Sequence, residues 1–320
     1  MNGPSRISTV ATVMLLVMAV TYASAQTYPT KPIRVVVGPG TDLVPRLIGP
    51  KLAAVWGQQL VVDQRPGGGG AIAADIVRKA APDGHTWLLS TAVFTINAGM
   101  YAKPPYDLVR DFAPVTMLGT AMFFLLVHPA VPARTVGDLI QLARERPGQL
   151  NYSSSGVGTP PHLAGEILKS MARINIVHVP YKSAAASITD LLGGQVQMSF
   201  QFTPTALPHV KTGKLRALGV SGAKRSVSVP ELPTIAESGL PGFEVIGWNG
   251  VHVPRGTPKA IVERMNAEIL RVLKQPDVQE RMTVAGLDAS GNTPEAFAMF
   301  VKADLARWAK VIRETGIQPE

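Results

Sequence analysis

Short apolar runs alternate with helical segments along most of this chain, and that alternation constrains the fold more than any other feature of the sequence. The first run, Ile33–Val37, is rich in β-branched residues and leads through a Gly-Pro-Gly turn into a helical stretch that ends near Trp56. Buried strands are predicted in the same way at residues 60–62, 86–90, 115–118, 123–127, 150–153, 176–179, 196–200, 215–220, 243–247 and 251–253. Strands separated by helices are typical of α/β proteins, in which crossover helices connect parallel strands.

The length of 320 residues exceeds what one compact core usually spans, so two lobes are predicted. Residues 26–122 and 250–320 are assigned to the first lobe and residues 123–249 to the second, with chain crossings near residues 120–126 and 245–252. Each lobe is expected to contain a mostly parallel sheet. Because ligands of such sheets bind at the carboxyl ends of the strands, the expected site is a cleft between the lobes.

Three threonines mark helix starts. Thr135 precedes a helix at residues 139–146 in a capping arrangement, and Thr257 and Thr293 each stand before a proline suited to the first helical position. The apolar faces of the last two helices are expected in the core and consist of Ile261, Met265, Ile269 and Leu273, then Phe297, Val301, Leu305 and Trp308.

The first 25 residues have the character of a signal peptide. Arg6 precedes an apolar stretch at residues 10–20, and Ala23-Ser24-Ala25 supplies small residues for cleavage near Ala25. That stretch has roughly half of the ~20 residues that span a bilayer, although a signal anchor is the alternative reading. The chain has no cysteine, which excludes disulfides, a thiolate nucleophile and a lipid anchor on cysteine. A periplasmic protein is therefore expected.

The formal net charge of +9 does not indicate nucleic-acid binding. Lys and Arg are scattered singly along the chain, and no basic stripe interleaved with aromatic residues occurs. A generally basic surface is the better interpretation, and no nucleic-acid partner is expected.

The segment at residues 153–160, Ser-Ser-Ser-Gly-Val-Gly-Thr-Pro, is the most informative one for chemistry. It joins a predicted strand to a predicted helix, where unpaired amides and the positive end of the helix dipole favour an anion. A simple tight turn with a helix cap is the alternative, although that turn needs only one Gly and one Thr. The turn at residues 38–42, Gly-Pro-Gly-Thr-Asp, likewise joins a predicted strand to a predicted helix in the first lobe, so its amides also favour an anion.

Enzymatic signatures are absent from the sequence. The glycines at residues 67–70 lack the Lys of a phosphate-binding loop, and there is no Gly-x-Ser-x-Gly nucleophile motif. The six histidines are widely spaced and form no metal-binding or triad pattern. No cofactor, no metal and no enzymatic activity are therefore expected.

Several segments match, in order, the pattern of one family. In the first part of the chain they are Tyr28-Pro29-x-Lys31-Pro32, Arg65-Pro66-Gly67-x-Gly69-Gly70, Ala80-Ala81-Pro82-Asp83-Gly84 and Pro105-Tyr106-Asp107. In the later part they are Gly158-Thr159-x-x-His162-Leu163-Ala164-Gly165-Glu166, His178-Val179-Pro180-Tyr181-Lys182, Leu191-Leu192-Gly193-Gly194-Gln195-Val196 and Gly256-Thr257-Pro258. Over essentially the whole mature chain, the sequence resembles the substrate-binding proteins of tripartite tricarboxylate transporters, the Bug-type receptors.

The resemblance implies a two-lobed periplasmic binding protein of the Venus-flytrap kind, type II-like, whose loops hold the ligand mostly through main-chain amides and ordered waters. The implied ligand contacts of the first lobe are Gly38, Gly40, Thr41, Asp42, Ser90, Thr91 and Ala92. Those of the second lobe are Ser154, Ser155, Gly156, Gly158, Thr159 and His162. The implied walls of the cleft are Tyr181, Lys182, Gln201, Phe202 and Trp248.

The implied function is that of a monomeric extracytoplasmic receptor. It would capture a small carboxylate, namely an amino-acid, dicarboxylic, tricarboxylic or aromatic acid, and deliver it to the membrane subunits of a tripartite transporter. Two alternatives remain open: an exported carboxylate sensor for a signalling partner, and a relative that binds no ligand.

Overall fold

The computed structural model describes residues 28–38, 42–101, 103–226 and 229–317. The predicted signal peptide lies outside these residues. The strands are β1 Ile33–Val37, β2 Leu60–Gln64, β3 Thr86–Thr91, β4 Phe112–Ala121, β5 Phe123–Val127, β6 Asn151–Ser154, β7 Val177–Pro180, β8 Met198–Phe202, β9 Arg216–Val220, β10 Gly247–Pro254 and β11 Leu287–Ala289. The α-helices are α1 Leu43–Trp56, α2 Ala71–Arg78, α3 Ala92–Met100, α4 Val136–Glu145, α5 Pro160–Ala172, α6 Ala184–Leu192, α7 Thr203–Lys211, α8 Lys259–Leu273, α9 Pro276–Val284 and α10 Pro294–Thr315.

These strands form two sheets, each at the centre of one lobe. The sheet of the first lobe has six strands in the order β11-β4-β10-β3-β1-β2, and that of the second lobe has five in the order β7-β6-β8-β5-β9. The chain therefore has the predicted two-lobed α/β architecture.

The prediction of mostly parallel sheets is wrong, because both sheets are mixed. In the first, β1 is parallel to β2 and β3, but β10 is antiparallel to β3 and β4, and β11 to β4. In the second, β6 is parallel to β7 and β8, but β5 is antiparallel to β8 and β9. Two of the antiparallel strands, β5 and β10, lie where the chain changes lobes. Only Met122 separates β4 from β5, so no crossover helix precedes β5.

The return crossing differs in detail from the sequence prediction. The predicted strand at residues 243–247 is wrong except for its last residue, because β10 begins at Gly247. Phe243 and Val245 are nevertheless buried, and the Val245 amide donates to the carbonyl oxygen of Ser221 over 2.8 Å. The pairing of β10 with β4 thus starts at Gly247, close to the predicted return to the first lobe.

The helix starts follow their predicted chemistry in two cases out of three. The Thr135 hydroxyl accepts from the Asp138 amide in a capping box, and the Thr293 hydroxyl accepts from the Ala296 amide over 3.2 Å. Thr257 instead donates its hydroxyl to the Pro254 carbonyl over 2.8 Å, and α8 begins two residues later. Within the described residues, no helix combines the length and apolar character needed to cross a bilayer.

Candidate functional site

A cleft of about 730 Å³ lies between the two lobes and takes its lining from both sheets. Eight residues predicted as ligand contacts or cleft walls from the family pattern line it: Thr91, Ala92, Ser155, Thr159, Lys182, Gln201, Phe202 and Trp248. These residues stand at the carboxyl ends of strands or at the crossing strand β10. The cleft therefore lies where the strand-to-helix topology predicts a ligand site.

Five of the helices in the described part of the chain begin at this cleft. Residues at the first turn or cap of α1 and α3, from the first lobe, and of α5, α6 and α7, from the second, contribute to the lining. The first amides of a helix have no intrahelical partner, and the helix dipole places partial positive charge at that end. Converging helix starts therefore create a region of positive potential that favours an anion.

Lys182 is the only charged residue among those described residues that line the cleft. Its side chain is exposed, and it stands immediately before Ser183, which caps α6 by accepting from the Ala186 amide over 3.2 Å. A cation beside a helix start adds to the positive potential, and the lining contributes no carboxylate within the described residues to oppose it. The cleft is thus electrostatically suited to an anion.

The loop at residues 153–160 is less open to a ligand than its sequence predicts. The Gly156 amide donates to the Ser154 hydroxyl over 3.1 Å, and the Gly158 amide donates to Nδ1 of His162 over 3.2 Å. Helix α5 begins with Pro160 and Pro161, which have no N–H group at all. This helix start therefore has fewer free amides than α3 or α6, whose first turns contain no proline.

His162 lies behind this loop and outside the cleft lining. Its ring stacks on that of His178 with centroids 4.0 Å apart, and His178 in turn contacts the Ser154 hydroxyl over 2.7 Å. Burial lowers the pKa of both imidazoles to about 4, so both are neutral at physiological pH. The pair supports the loop from the rear, and a direct ligand contact by His162 is not supported by this geometry.

Gln201 is held in one orientation by two serines. Its Nε2 donates to the hydroxyls of Ser187 over 2.8 Å and of Ser199 over 2.9 Å. Both hydroxyls direct their own protons to Ser153, which fixes them as acceptors from the amide nitrogen. Gln201 therefore has no amide proton left to donate and offers a ligand only its carbonyl oxygen.

Several predicted contacts of the first lobe lie outside the cleft lining. The Ser90 hydroxyl is fully buried and contacts Nδ1 of His252 over 2.7 Å. The Asp42 carboxylate accepts from Arg46 and from Gln64, and the Arg46 hydrogen bond lowers the pKa of Asp42. Gly38 packs so closely that an added Cβ would stand 2.8 Å from the Phe94 ring. Gly40 and Thr41 lie outside the described residues.

Tyr181 is likewise outside the lining, as are Ser154, Gly156 and Gly158. The Tyr181 hydroxyl donates to Oδ2 of Asp190 over 2.6 Å. This bond commits the phenol proton to a carboxylate on α6. The residues that follow Tyr181 line the cleft, namely Lys182, which was also predicted as a wall, and Ser183.

The sequence prediction missed a group of residues near the crossings. They line the cleft and are Phe123, Pro204, Thr205, Gly247, Asn249, Ala285 and Leu287. Pro204 and Thr205 could have been predicted, because they follow the carboxyl end of β8 in the same way as the other predicted ligand loops follow their strands. Ala285 and Leu287 reach the cleft through the pairing of β11 with β4, for which the local sequence carries no signal. Within the described ranges, no three acidic or histidine side chains are close enough to hold a metal ion.

Two mixed α/β sheets, two short crossings and a cleft lined by helix starts define the periplasmic-binding-protein class of fold. The chain belongs to the tripartite tricarboxylate transporter receptor family, whose model matches residues 44–317. The protein BugT of Bordetella pertussis is 35% identical over 301 residues, which cover 92% of each chain. A Pseudomonas protein named for the tcbD-tcbE intergenic region is 40% identical over 292 residues, or 90% of this chain and 87% of its own length.

Solved structures agree with this membership. The Rhodopseudomonas palustris protein Rpa4515, in a structure with adipate, is 36% identical with a TM-score of 0.84 and covers 92% of this chain and 100% of its own. MatC from the same organism, with bound malate, is 30% identical with a TM-score of 0.79 and covers 89% of this chain and 100% of its own.

Proposed function

We propose that this protein is a periplasmic receptor that captures a small carboxylate in the inter-lobe cleft and passes it to the membrane subunits of a tripartite tricarboxylate-type transporter. The observation that carries the proposal is the convergence of five helix starts and Lys182 on a cleft whose described lining has no acidic side chain. Family membership and the adipate and malate bound by two structural neighbours support the same chemistry. The protein acts as a binding protein and not as an enzyme.

The most favourable place for the carboxylate is between the starts of α3 and α6, which face the cleft from opposite lobes. An exposed ion pair contributes only ~0–1 kcal/mol, whereas micromolar affinity needs about 8 kcal/mol, so Lys182 alone is insufficient. Charge-assisted bonds from amides of both lobes supply more once lobe closure excludes water, because such bonds strengthen as the local dielectric constant falls. Capture by both lobes thus couples binding to closure.

Titration calorimetry on protein recovered from the periplasm without denaturation tests this function. We expect at least one small carboxylate to bind with micromolar or better affinity and the matching neutral amide not to bind. If no member of a broad panel of carboxylates binds or raises the melting temperature, the receptor proposal fails and a non-binding relative is favoured.

A further inference from the structure

We infer that the preferred ligand has a single carboxylate and an apolar remainder, as in an alkyl or aryl monocarboxylate, in contrast to a di- or tricarboxylate. This inference rests on the proposed function and narrows it to one chemical class. It derives from the difference between the base of the cleft and its rim.

The base of the cleft is a continuous apolar floor, which we define as Leu287, Ala121, Gly247, Phe123 and Phe202. Leu287 and Gly247 are the neighbours of Ala121 on either side, so the three residues form a row across β11, β4 and β10. Phe123 follows two residues after Ala121 and pairs with Phe202 in the second sheet, with ring centroids 6.3 Å apart. All five residues line the cleft, and none has a polar side chain.

Two polar side chains beside this floor, those of Trp248 and Gln201, are already committed within the protein, whereas the Asn249 side chain also lines the cleft. The indole of Trp248 donates to Oδ2 of Asp304 over 2.8 Å, so this wall residue offers only carbon surface. Gln201, next to Phe202, presents a carbonyl oxygen, because both of its amide protons go to serine hydroxyls. A carboxylate near that oxygen would meet another acceptor and no donor, which is unfavourable in a buried position.

The fixed positive charge lies at the rim and not at the floor. Lys182 is exposed, whereas the floor residues Ala121, Phe123 and Leu287 are at most 6% exposed, and Gly247 and Phe202 are half-buried. A ligand with one carboxylate at the rim satisfies the cation and buries its apolar part on the floor, with a gain of ~25 cal/mol per Å² of apolar surface. A second carboxylate at the far end of such a ligand would lie against the apolar floor, where the described lining supplies no second cation, or stay in water and hold the ligand body away from the floor.

Hexanoate and adipate form the decisive pair of probes, because they have the same six-carbon chain and differ only in the second carboxylate. We expect hexanoate and benzoate to bind at least ~10-fold more tightly than adipate in calorimetry, and malate and citrate more weakly still. Tighter binding of adipate, malate or citrate than of hexanoate and benzoate would overturn the inference while leaving the receptor function intact. Binding by none of the acids would instead reject the receptor function itself.

Introduction of a second cation into the cleft lining by substitution provides an independent test. Thr205 is exposed, lines the cleft and lies in the first turn of α7, whereas Thr212 is exposed at the other end of the same helix and outside the lining. We expect Thr205→Lys to shift the adipate-to-hexanoate affinity ratio by ~10-fold toward adipate, and Thr212→Lys to leave it unchanged. An unchanged ratio in Thr205→Lys, with the variant folded by circular dichroism, would contradict a rim-and-floor arrangement.

Discussion

Asn97 on α3 of the first lobe donates from Nδ2 to the carbonyl oxygen of Gly158 in the second lobe over 3.3 Å. The same amide group also donates to the Val93 carbonyl over 2.9 Å, so both of its protons are used. Asn97 therefore bonds the helix that begins at the cleft to the loop on the opposite side. This contact connects the position of one lobe to that of the other.

Removal of this side chain is expected to favour separation of the lobes. In Asn97→Ala the Gly158 carbonyl loses its partner, which costs ~0.5–1.5 kcal/mol and predicts a ligand dissociation constant raised about 2- to 10-fold. Small-angle X-ray scattering of the ligand-free protein should show a larger radius of gyration. Asn175→Ala, at an exposed position of the second lobe, is the control and should change neither quantity. A wild-type radius and affinity in Asn97→Ala would show that the contact has no role in closure.

Gly158 itself provides a matched pair of substitutions with Gly213. Both residues have a positive φ, +73° for Gly158 and +69° for Gly213. A Cβ added at Gly158 would stand 3.0 Å from Sδ of Met100, whereas a Cβ added at Gly213 would have no described heavy atom within 4 Å. Gly213→Ala should lose ~1–2 kcal/mol of unfolding free energy from backbone strain and keep its ligand affinity. Gly158→Ala should lose at least as much stability in urea titration and also bind ligand more weakly. Equal ligand affinity in the two variants would count against the packing of this loop on α3.

Lys182 should contribute a salt-dependent part of the affinity. We expect Lys182→Ala to raise the dissociation constant by about 3- to 10-fold at low ionic strength, and by less at 1 M salt, where exposed charges are screened within ~3 Å. Lys211→Ala removes the same charge at an exposed position outside the lining and should have little effect at either ionic strength. Identical salt dependence in both variants would mean that only net charge attracts the ligand.

The buried histidines should make the protein acid-labile in a defined pH range. Burial lowers the pKa of His252 to about 3 and of His162 and His178 to about 4, whereas an unfolded chain titrates near 6.5. The unfolded state therefore binds more protons below pH 6.5, and stability falls by ~1.4 kcal/mol per pH unit for each such group down to its folded pKa. The raised pKa of buried Asp304 acts in the opposite direction, but only near and above about pH 4.

Urea titrations between pH 7 and pH 4 measure this dependence. His162→Gln preserves an acceptor for the Gly158 amide and removes one titrating group, so its stability should fall less steeply with acid than that of the wild type. A slope equal to that of the wild type would show that the pKa of His162 is the same in the folded and the unfolded protein.

The strand positions were predictable because each buried strand leaves a run of apolar, β-branched residues such as Ile33–Val37. The direction of each strand was not predictable, because the local sequence of β5 would be the same in a parallel and in an antiparallel pairing. The adjacent prolines Pro160 and Pro161 are evident from the sequence. Because proline has no N–H group, they already limit the number of free amides at the start of α5. The place of Ala285 and Leu287 at the cleft depends on long-range pairing with β4, which no local pattern encodes.

The burial of Ser90 and His162 shows that local sequence also does not determine where a single side chain lies relative to the cleft. A hydroxyl or imidazole next to a ligand loop has the same local sequence whether it faces the cleft or supports the loop from behind. Contacts with His252 and His178, which are distant in sequence, decide between these two cases.

A crystal structure of the protein with a bound acid tests the central claim most directly. We predict that electron density will place the carboxylate in the cleft, with hydrogen bonds to amides at the starts of both α3 and α6. Density for the acid outside the cleft, or contacts with one lobe alone, would contradict the account.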